Sequence, residues 1–281
     1  VPKKHTLKTL TNVLLKDGKA IATDFETMII MDLPEVEEPY LLPYQALKDF
    51  LKYVPGNEQL TIKQTDGVVE LSWEGGKATY KVDNPEDYPP LPEVKNGISG
   101  SVDGDRLLPA LQSVIHYCGG GKSRAVLTGV SLTLNENIEL AAGDGFRMAY
   151  LILPIPFTAQ AKVIIPSHSA RVIVDLWRKI PPAVPLADSI VSQVLSKRQL
   201  ELDIGEGGMM ARFGRVSVMV KTIDGNAPNF KALIPKEPPT KIRAFAPDFE
   251  RAVHRCASVA SNVEGLTRFE WKNETLTVSA K

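Results

Sequence analysis

The chain has 281 residues, more than one ordinary hydrophobic core serves, so at least two domains are expected. Its 33 basic and 33 acidic residues give a formal net charge of zero, which argues against a protein that grips nucleic acid through its overall field. No apolar run approaches the roughly 18 residues that span a bilayer, and two cysteines are too few for a disulfide framework. These features predict a cytoplasmic protein without membrane contact, whose cysteines are buried reduced thiols.

Short strands dominate the N-terminal third. Segments rich in Val, Ile, Leu and Thr alternate with the pairs Asp17-Gly18, Asp66-Gly67 and Gly75-Gly76, which favour hairpin turns. The predicted strands are 11–15, 20–23, 27–31, 59–63, 68–73 and 78–82. This order predicts antiparallel sheet instead of alternating strands and helices.

Helical periodicity is clear in four stretches, 43–54, 103–118, 166–180 and 247–261. In the second stretch, Leu107, Leu111 and Val114 share one face, and Asp103 and Asp105 suit the positive N-terminal end of a helix. Each stretch is amphipathic and long enough to pack on a sheet.

The order of these elements repeats along the chain. A strand-rich segment that ends at 88–91 precedes the helix at 103, and another that ends at 228–230 precedes the helix at 247. Self-similarity over such a long interval predicts duplicated domains and not a short-period solenoid. The Pro-rich joints place the domains at 1–97, 98–238 and 239–281.

Four motifs, in this order, resemble the β sliding clamp of bacterial DNA polymerase III. They are the strands 11–15 and 22–24, the Tyr-Pro-Pro-Leu-Pro exit at 88–92, the turn Ala-Gly-Asp-Gly-Phe-Arg-Met-Ala at 142–149, and the segment 223–236. The likeness covers essentially the whole chain. It implies an α+β DNA-clamp fold, in which repeated domains of antiparallel sheet with two helices each line a ring. Measured against that fold, we expect the first domain to lack its first strand and helix and the third to be incomplete.

The resemblance also implies a function. The implied function is that of a non-catalytic subunit of the DNA polymerase III holoenzyme. Such a subunit is a homodimeric processivity factor that encircles duplex DNA without sequence preference during DNA replication. Such a clamp tethers the polymerase, the clamp loader and other partners through a hydrophobic cleft that binds short peptide motifs, and it uses no cofactor. The alternative is a clamp-fold interaction scaffold that does not close a ring.

A ring that slides needs loose phosphate contacts, which scattered cations on its inward helices provide. Lys48 and Lys52 lie off the apolar face of the first predicted helix, and Arg171 and Arg178 lie opposite the apolar stripe of the third. An ordinary solvated helix face is the alternative for any one of them. The predicted DNA-binding set is Lys4, Lys48, Lys52, Lys122, Arg124, Arg171 and Arg178.

The loop 119–124 looks at first like a phosphate-binding loop, because three glycines precede Lys122 and Ser123. That motif would need glycine where His116 stands, and it would follow a strand instead of a helix. In the resembling family this loop reaches toward DNA, so Lys122 and Arg124 are interpreted as backbone contacts.

The resemblance places the peptide cleft around the turn at 142–149. Gly145 suits the positive φ of a tight turn, which would let Arg147 and Met148 face the groove. Phe146 stands where relatives usually have His, and Ala232 where Arg is common, so this cleft is expected to be more apolar. Ordinary core packing is the alternative for Leu127, Met148 and Leu233. The predicted cleft set is Leu127, Gly143, Gly145, Phe146, Arg147, Met148, Pro228, Ala232 and Leu233.

No combination of residues predicts an enzyme or a metal site. The four histidines, His5, His116, His168 and His254, are far apart and lack metal-ligand spacing. Asp103 and Asp105 could mimic a catalytic carboxylate pair, but the N-terminal end of a helix explains them better.

Overall fold

The computed structural model describes residues 7–36, 38–56, 58–65, 67–121, 123–180, 198–260, 267–272 and 274–280. Lys4 and Lys122 of the predicted DNA-binding set lie outside these residues. The chain divides into two compact units, Val1–Lys231 and Ala232–Lys281. Within the first unit, we call the part before residue 95 the first module and the part from residue 95 to 231 the second module.

The first module is built from short antiparallel strands and one helix. Its elements are β1 (Asn12–Lys16), β2 (Lys19–Thr23), β3 (Thr27–Asp32), β4 (Tyr40–Pro43), α1 (Tyr44–Phe50), β5 (Thr61–Thr65), β6 (Val68–Trp73) and β7 (Gly76–Lys81). Asp17 and Gly18 connect β1 to β2 with φ values of 50° and 69°, the positive pair that a type I′ hairpin turn requires. The hairpin predicted from Asp17-Gly18 is therefore confirmed.

Helix α1 is shorter than predicted, because it ends at Phe50 and not at residue 54. The N–H of Tyr53 donates to the carbonyl of Phe50, so the chain leaves the helix through a tight turn. Pro55 also disfavours helical geometry at Val54, the last residue of the predicted helix. Leu51, the residue after the helix, is 47% exposed, and Lys52, predicted to lie on the helix, follows it instead.

The second module contains two longer helices and two groups of strands. Its elements are β8 (Lys95–Asp103), α2 (Gly104–Ile115), β9 (Gly129–Leu134), β10 (Ile138–Gly143), β11 (Met148–Leu153), β12 (Ala161–Pro166), α3 (Ser167–Lys179), β13 (Gln199–Glu206), β14 (Gly208–Phe213) and β15 (Val216–Val220). The Asp103 carboxylate accepts a hydrogen bond from the N–H of Asp105 at 3.1 Å, so α2 begins at the predicted cap.

One eight-stranded antiparallel sheet joins the two modules, in the order β4-β1-β2-β3-β15-β14-β13-β8. At the junction, β3 pairs with β15 so that Thr27 lies opposite Val220 and Met31 opposite Val216. A three-stranded sheet, β5-β6-β7, completes the first module, and a four-stranded sheet, β11-β10-β9-β12, completes the second. The predicted division at residue 97 falls within β8, and it stays a prediction based on the repeat.

The main core lies in the second module. There α2 and α3 pack against the inner face of the four-stranded sheet and against the β8 and β13–β15 part of the large sheet. Leu108, Ile138, Leu140 and Ile173 are among its fully buried side chains. Two smaller clusters serve the first module, one around Leu10, Leu14 and Met28 and one around Leu42 and Leu71.

The second unit contains α4 (Ala246–Ala260) and a hairpin of β16 (Thr267–Lys272) and β17 (Thr275–Ala280). The rings of Phe249 on the helix and Phe269 on the hairpin lie 5.8 Å apart, so the helix packs on the hairpin. Among the residues that the structure describes, no helix is both long and apolar enough to cross a membrane.

Candidate nucleic-acid face and peptide cleft

Helices α2 and α3 pack side by side, and their exposed faces carry three arginines. Each helix buries one face in the core, and the opposite faces carry the exposed side chains Arg106 on α2 and Arg171 and Arg178 on α3. The guanidinium of Arg178 donates to the side-chain carbonyl of Gln112 on α2, which links the two exposed faces. Arg106 was missed in the sequence, although it lies on the polar side of its helix like the predicted cations.

A cluster at the C-terminal end of α3 fixes the helix that carries two of these arginines. Arg198 donates to the carbonyls of Trp177 at 3.0 Å and Ile180 at 2.7 Å, which satisfies carbonyls left free where a helix ends. Its guanidinium lies 4.3 Å from the centre of the Trp177 ring and forms an ion pair with Asp105. The Trp177 indole N–H also donates to Asp105, at 3.2 Å. A Cβ at Gly104 would lie 2.2 Å from Trp177, so only glycine fits there.

The predicted cations outside these two helices are also exposed where the structure describes them. Lys48 is exposed on α1, and Lys52 forms an exposed ion pair with Asp49 at 2.8 Å. Arg124 is exposed and directly precedes a 3-10 turn, Ala125–Leu127. In the glycine loop, Gly119 is buried and donates to the carbonyl of Leu127 at 2.7 Å, and a Cβ there would meet Ser123 at 2.4 Å. Close packing, more than freedom of movement, therefore explains this glycine.

The turn between β10 and β11 is held by Asp144. One carboxylate oxygen accepts hydrogen bonds from the N–H groups of Phe146 at 2.9 Å and Arg147 at 3.0 Å, and the other accepts from the Arg147 side chain at 3.0 Å. The N–H groups of Arg147 and Phe146 and the Arg147 guanidinium lower the pKa of Asp144 to about 2. Gly145 has φ of 98°, as predicted for a tight turn.

The three residues after Gly145 take different directions. Phe146 is 101% exposed at the tip of the turn. Arg147 donates to the carbonyl of His116 at 3.3 Å and lies 5.6 Å from the centre of the Tyr117 ring, so it contacts the end of α2. Met148 is half-buried in an apolar cluster. A role for Arg147 in peptide binding stays a prediction.

This apolar cluster, which we call the cleft cluster, brings predicted cleft residues together with residues that the sequence did not reveal. Leu127, which belongs to the predicted cleft set, is buried and only 7% exposed. The full cluster is Leu127, Ala141 and Phe230, with Val126, Met148, Tyr150 and Ala227 packed against them. A Cβ at Gly143 would lie 2.8 Å from the Phe230 ring, which explains the predicted glycine. Tyr150 could have been found from strand alternation, since it lies two residues after Met148.

The remaining predicted cleft residues are less buried. Pro228 is half-buried, while Ala232 and Leu233 belong to the second unit and are exposed, Leu233 by 65%. Their participation in the cleft stays a prediction.

Neither cysteine is as buried as predicted, since both are free and half-buried. Burial raises the pKa of the Cys118 thiol to about 11, against a smaller opposite effect of Arg171, so this thiol stays protonated near neutral pH. Among the described residues, no group of His, Cys, Asp and Glu side chains is arranged to hold a metal ion.

The fold and these sites define a class of protein. Helix-carrying, antiparallel modules joined by one continuous sheet make an α+β DNA-clamp fold, and solved clamps superpose on the chain. The DnaN sliding clamp (DNA polymerase III subunit beta) of Pseudomonas aeruginosa matches with a TM-score of 0.83 and 20% identity, covering 100% of this chain and 74% of that one. The DNA polymerase III beta chain of Streptococcus pneumoniae matches with a TM-score of 0.82 and 18% identity, covering 99% and 74%.

Curated relatives agree with the structural likeness. The beta sliding clamp of Synechococcus elongatus is 27% identical over 201 residues, which cover 70% of this chain and 50% of that protein. The beta sliding clamp of Bacillus subtilis is 24% identical over 213 residues, covering 73% and 50%. The chain thus spans about half the length of these relatives. No protein-family model matches it. The resemblance to bacterial β sliding clamps is therefore confirmed.

Proposed function

We propose that this protein is a DNA sliding clamp, a non-catalytic processivity factor that encircles duplex DNA as a head-to-tail homodimer. The proposed location is the cytoplasm. The proposed partners, besides DNA, are polymerase subunits and a clamp loader that dock through short hydrophobic peptides. The arginine-bearing face of α2 and α3 is the observation that carries this proposal.

The chemistry of that face suits loose contact with a phosphate backbone. Arg106, Arg171 and Arg178 are exposed on these helices. Two exposed acids lie on the same helices, Asp175 on α3 and Asp105 on α2, and Asp105 is paired with Arg198. Because phosphate contacts position a protein without reading bases, such a face can follow DNA of any sequence. The zero net charge of the chain limits the overall attraction, which suits a protein that must slide.

The cleft cluster supports the second part of the proposal. It joins the β9–β11 sheet to the segment before residue 231, and the fully exposed Phe146 stands beside it in the chain. An exposed phenylalanine next to an apolar cluster is typical of a surface that binds a hydrophobic partner.

The DNA part of the proposal is tested by reversing two charges on the helical face. The double change Arg171→Glu and Arg178→Glu is expected to weaken DNA binding and to lower the slope of log K against log salt by about two. Fluorescence anisotropy with labelled duplex at several salt concentrations measures this slope.

The matched control is Lys162→Glu with Lys231→Glu, which reverses two exposed lysines beside the outer face of the four-stranded sheet. This control should keep the wild-type slope. An equal decrease of the salt slope in both double variants would show that only the net charge of the protein matters. An unchanged slope in the arginine variant would remove α3 from the DNA interface.

A further inference from the structure

A polar groove crosses the outer face of the four-stranded sheet, on the side away from α2 and α3. It has a volume of about 300 Å³ and lies between the sheet and the segment 227–231. In the sheet register, Thr133 on β9 lies opposite both Glu139 on β10 and Lys162 on β12. The floor of the groove is therefore a row of polar side chains across three strands.

Of the two lysines in this groove, Lys231 is weakly paired and Lys162 is available. Lys231 lies 3.9 Å from Glu139, and its side chain is 68% exposed, so this ion pair is long and solvated. Glu139 accepts a short hydrogen bond from the Tyr150 hydroxyl at 2.7 Å. Lys162 lies in the β12–β9 ladder, and its exposed side chain has no ion pair or hydrogen bond within the part of the chain that the structure describes. The groove therefore carries an excess of positive charge.

The groove and the cleft cluster share their walls. Ala141, Tyr150, Ala227 and Phe230 belong to both. A peptide whose apolar side chains pack against the cleft cluster would therefore place a neighbouring residue over the groove. The groove is at the lower end of the range for ligand pockets, which suits one or two side chains and not a folded domain.

We infer that the polar groove binds an acidic residue that flanks the hydrophobic motif of a partner peptide, with its carboxylate between Lys162 and Lys231. This inference rests on the proposed function, because it extends the same peptide cleft. The carboxylate is the occupant that the spare positive charge favours, and a basic flanking residue would be repelled by the same two lysines.

Short fluorescent peptides with a Leu-Leu-Phe core test this inference. The core is followed or preceded by Asp, Asn or Lys, and anisotropy gives the Kd of each peptide for the whole protein. The wild-type protein is expected to bind the Asp peptide roughly fivefold more tightly than the Asn peptide, as two solvated ion pairs allow. Lys162→Ala with Lys231→Ala should abolish this preference, while Lys95→Ala, an exposed lysine on β8, should leave it unchanged.

A change in the opposite direction sharpens the test. Glu139→Gln removes the competing carboxylate and keeps a side chain that can accept from Tyr150, so the preference for Asp should increase. If Asp and Asn peptides bind wild-type protein equally, the inferred acidic residue in the polar groove is wrong while the cleft stands. If no peptide binds at all, both the cleft and this inference fail.

Discussion

Asp144 organises the tip of the β10–β11 hairpin through both of its carboxylate oxygens. Because these contacts also direct the Arg147 side chain, Asp144 links the exposed Phe146 to the end of α2. Such a turn is easily overlooked in a sequence, where Asp-Gly reads only as a hairpin signal.

Asp144→Ala is expected to weaken peptide binding at the cleft by roughly threefold to tenfold, the range for losing an exposed network of a few hydrogen bonds. Asp144→Asn keeps one acceptor oxygen and should reduce peptide affinity less than Asp144→Ala.

The pKa of Asp144 is about 2, against an ordinary 3.8. The Asp144 carboxylate therefore stabilises the turn above pH 3.8, and this stabilisation is lost as the pH falls toward 2. A carboxyl titration by NMR checks this, and a midpoint near 3.8 would contradict the described turn.

At the scale of elements, Arg198 holds the C-terminal end of α3 more firmly than helix propensity alone would. It combines two carbonyl contacts, a stacked indole and an ion pair. Arg198→Ala should therefore lower the free energy of unfolding by about 2 kcal/mol, and Arg198→Lys should recover only part of it, since lysine lacks the planar fork. Urea denaturation followed by Trp fluorescence measures the change.

Arg106→Ala is the matched control, because it removes an exposed arginine from the neighbouring helix and should change stability by less than about 0.5 kcal/mol.

The burial of Asp105 raises its pKa, but Arg198 and Trp177 outweigh this effect and lower it. A carboxyl whose pKa is lower in the folded protein stabilises the fold at pH values above its pKa in the unfolded chain, and this stabilisation is lost as the pH falls. The difference in free energy of unfolding between wild type and Arg198→Ala should therefore narrow below about pH 4. Equal urea midpoints at neutral pH would contradict the capping role.

Local patterns predicted the elements well where the controlling contacts are themselves local. The Asp17-Gly18 turn and the Asp103 cap of α2 are decided by residues within the same turn. The predicted end of α1 was wrong because apolar periodicity continues to Val54, whereas the chain leaves the helix after Phe50 through a tight turn. The contacts of Arg147 with Tyr117 and of Arg198 with Trp177 join distant segments, and periodicity carries no information about them.

At the scale of the whole molecule, the repeat in the sequence predicted modules but not how the first two are joined. The β3–β15 pairing makes both modules parts of one sheet and places Met28 opposite Met219. Which strand edges meet depends on the packing of both modules, so no single segment encodes it. The sequence placed Arg171 and Arg178 on one helix face, whereas only the structure shows that α2 packs beside this helix and exposes Arg106.

The proposed function requires that the protein hold DNA by surrounding it and not by affinity. With zero net charge and scattered cations, direct attraction to phosphate is modest, so long retention requires a topological link. The most direct measurement assembles the labelled protein on nicked circular DNA with a clamp loader and ATP, then cuts the DNA once. We expect the protein to stay on the circle and to leave soon after the cut, whereas equally long retention on circular and linear DNA would contradict encirclement.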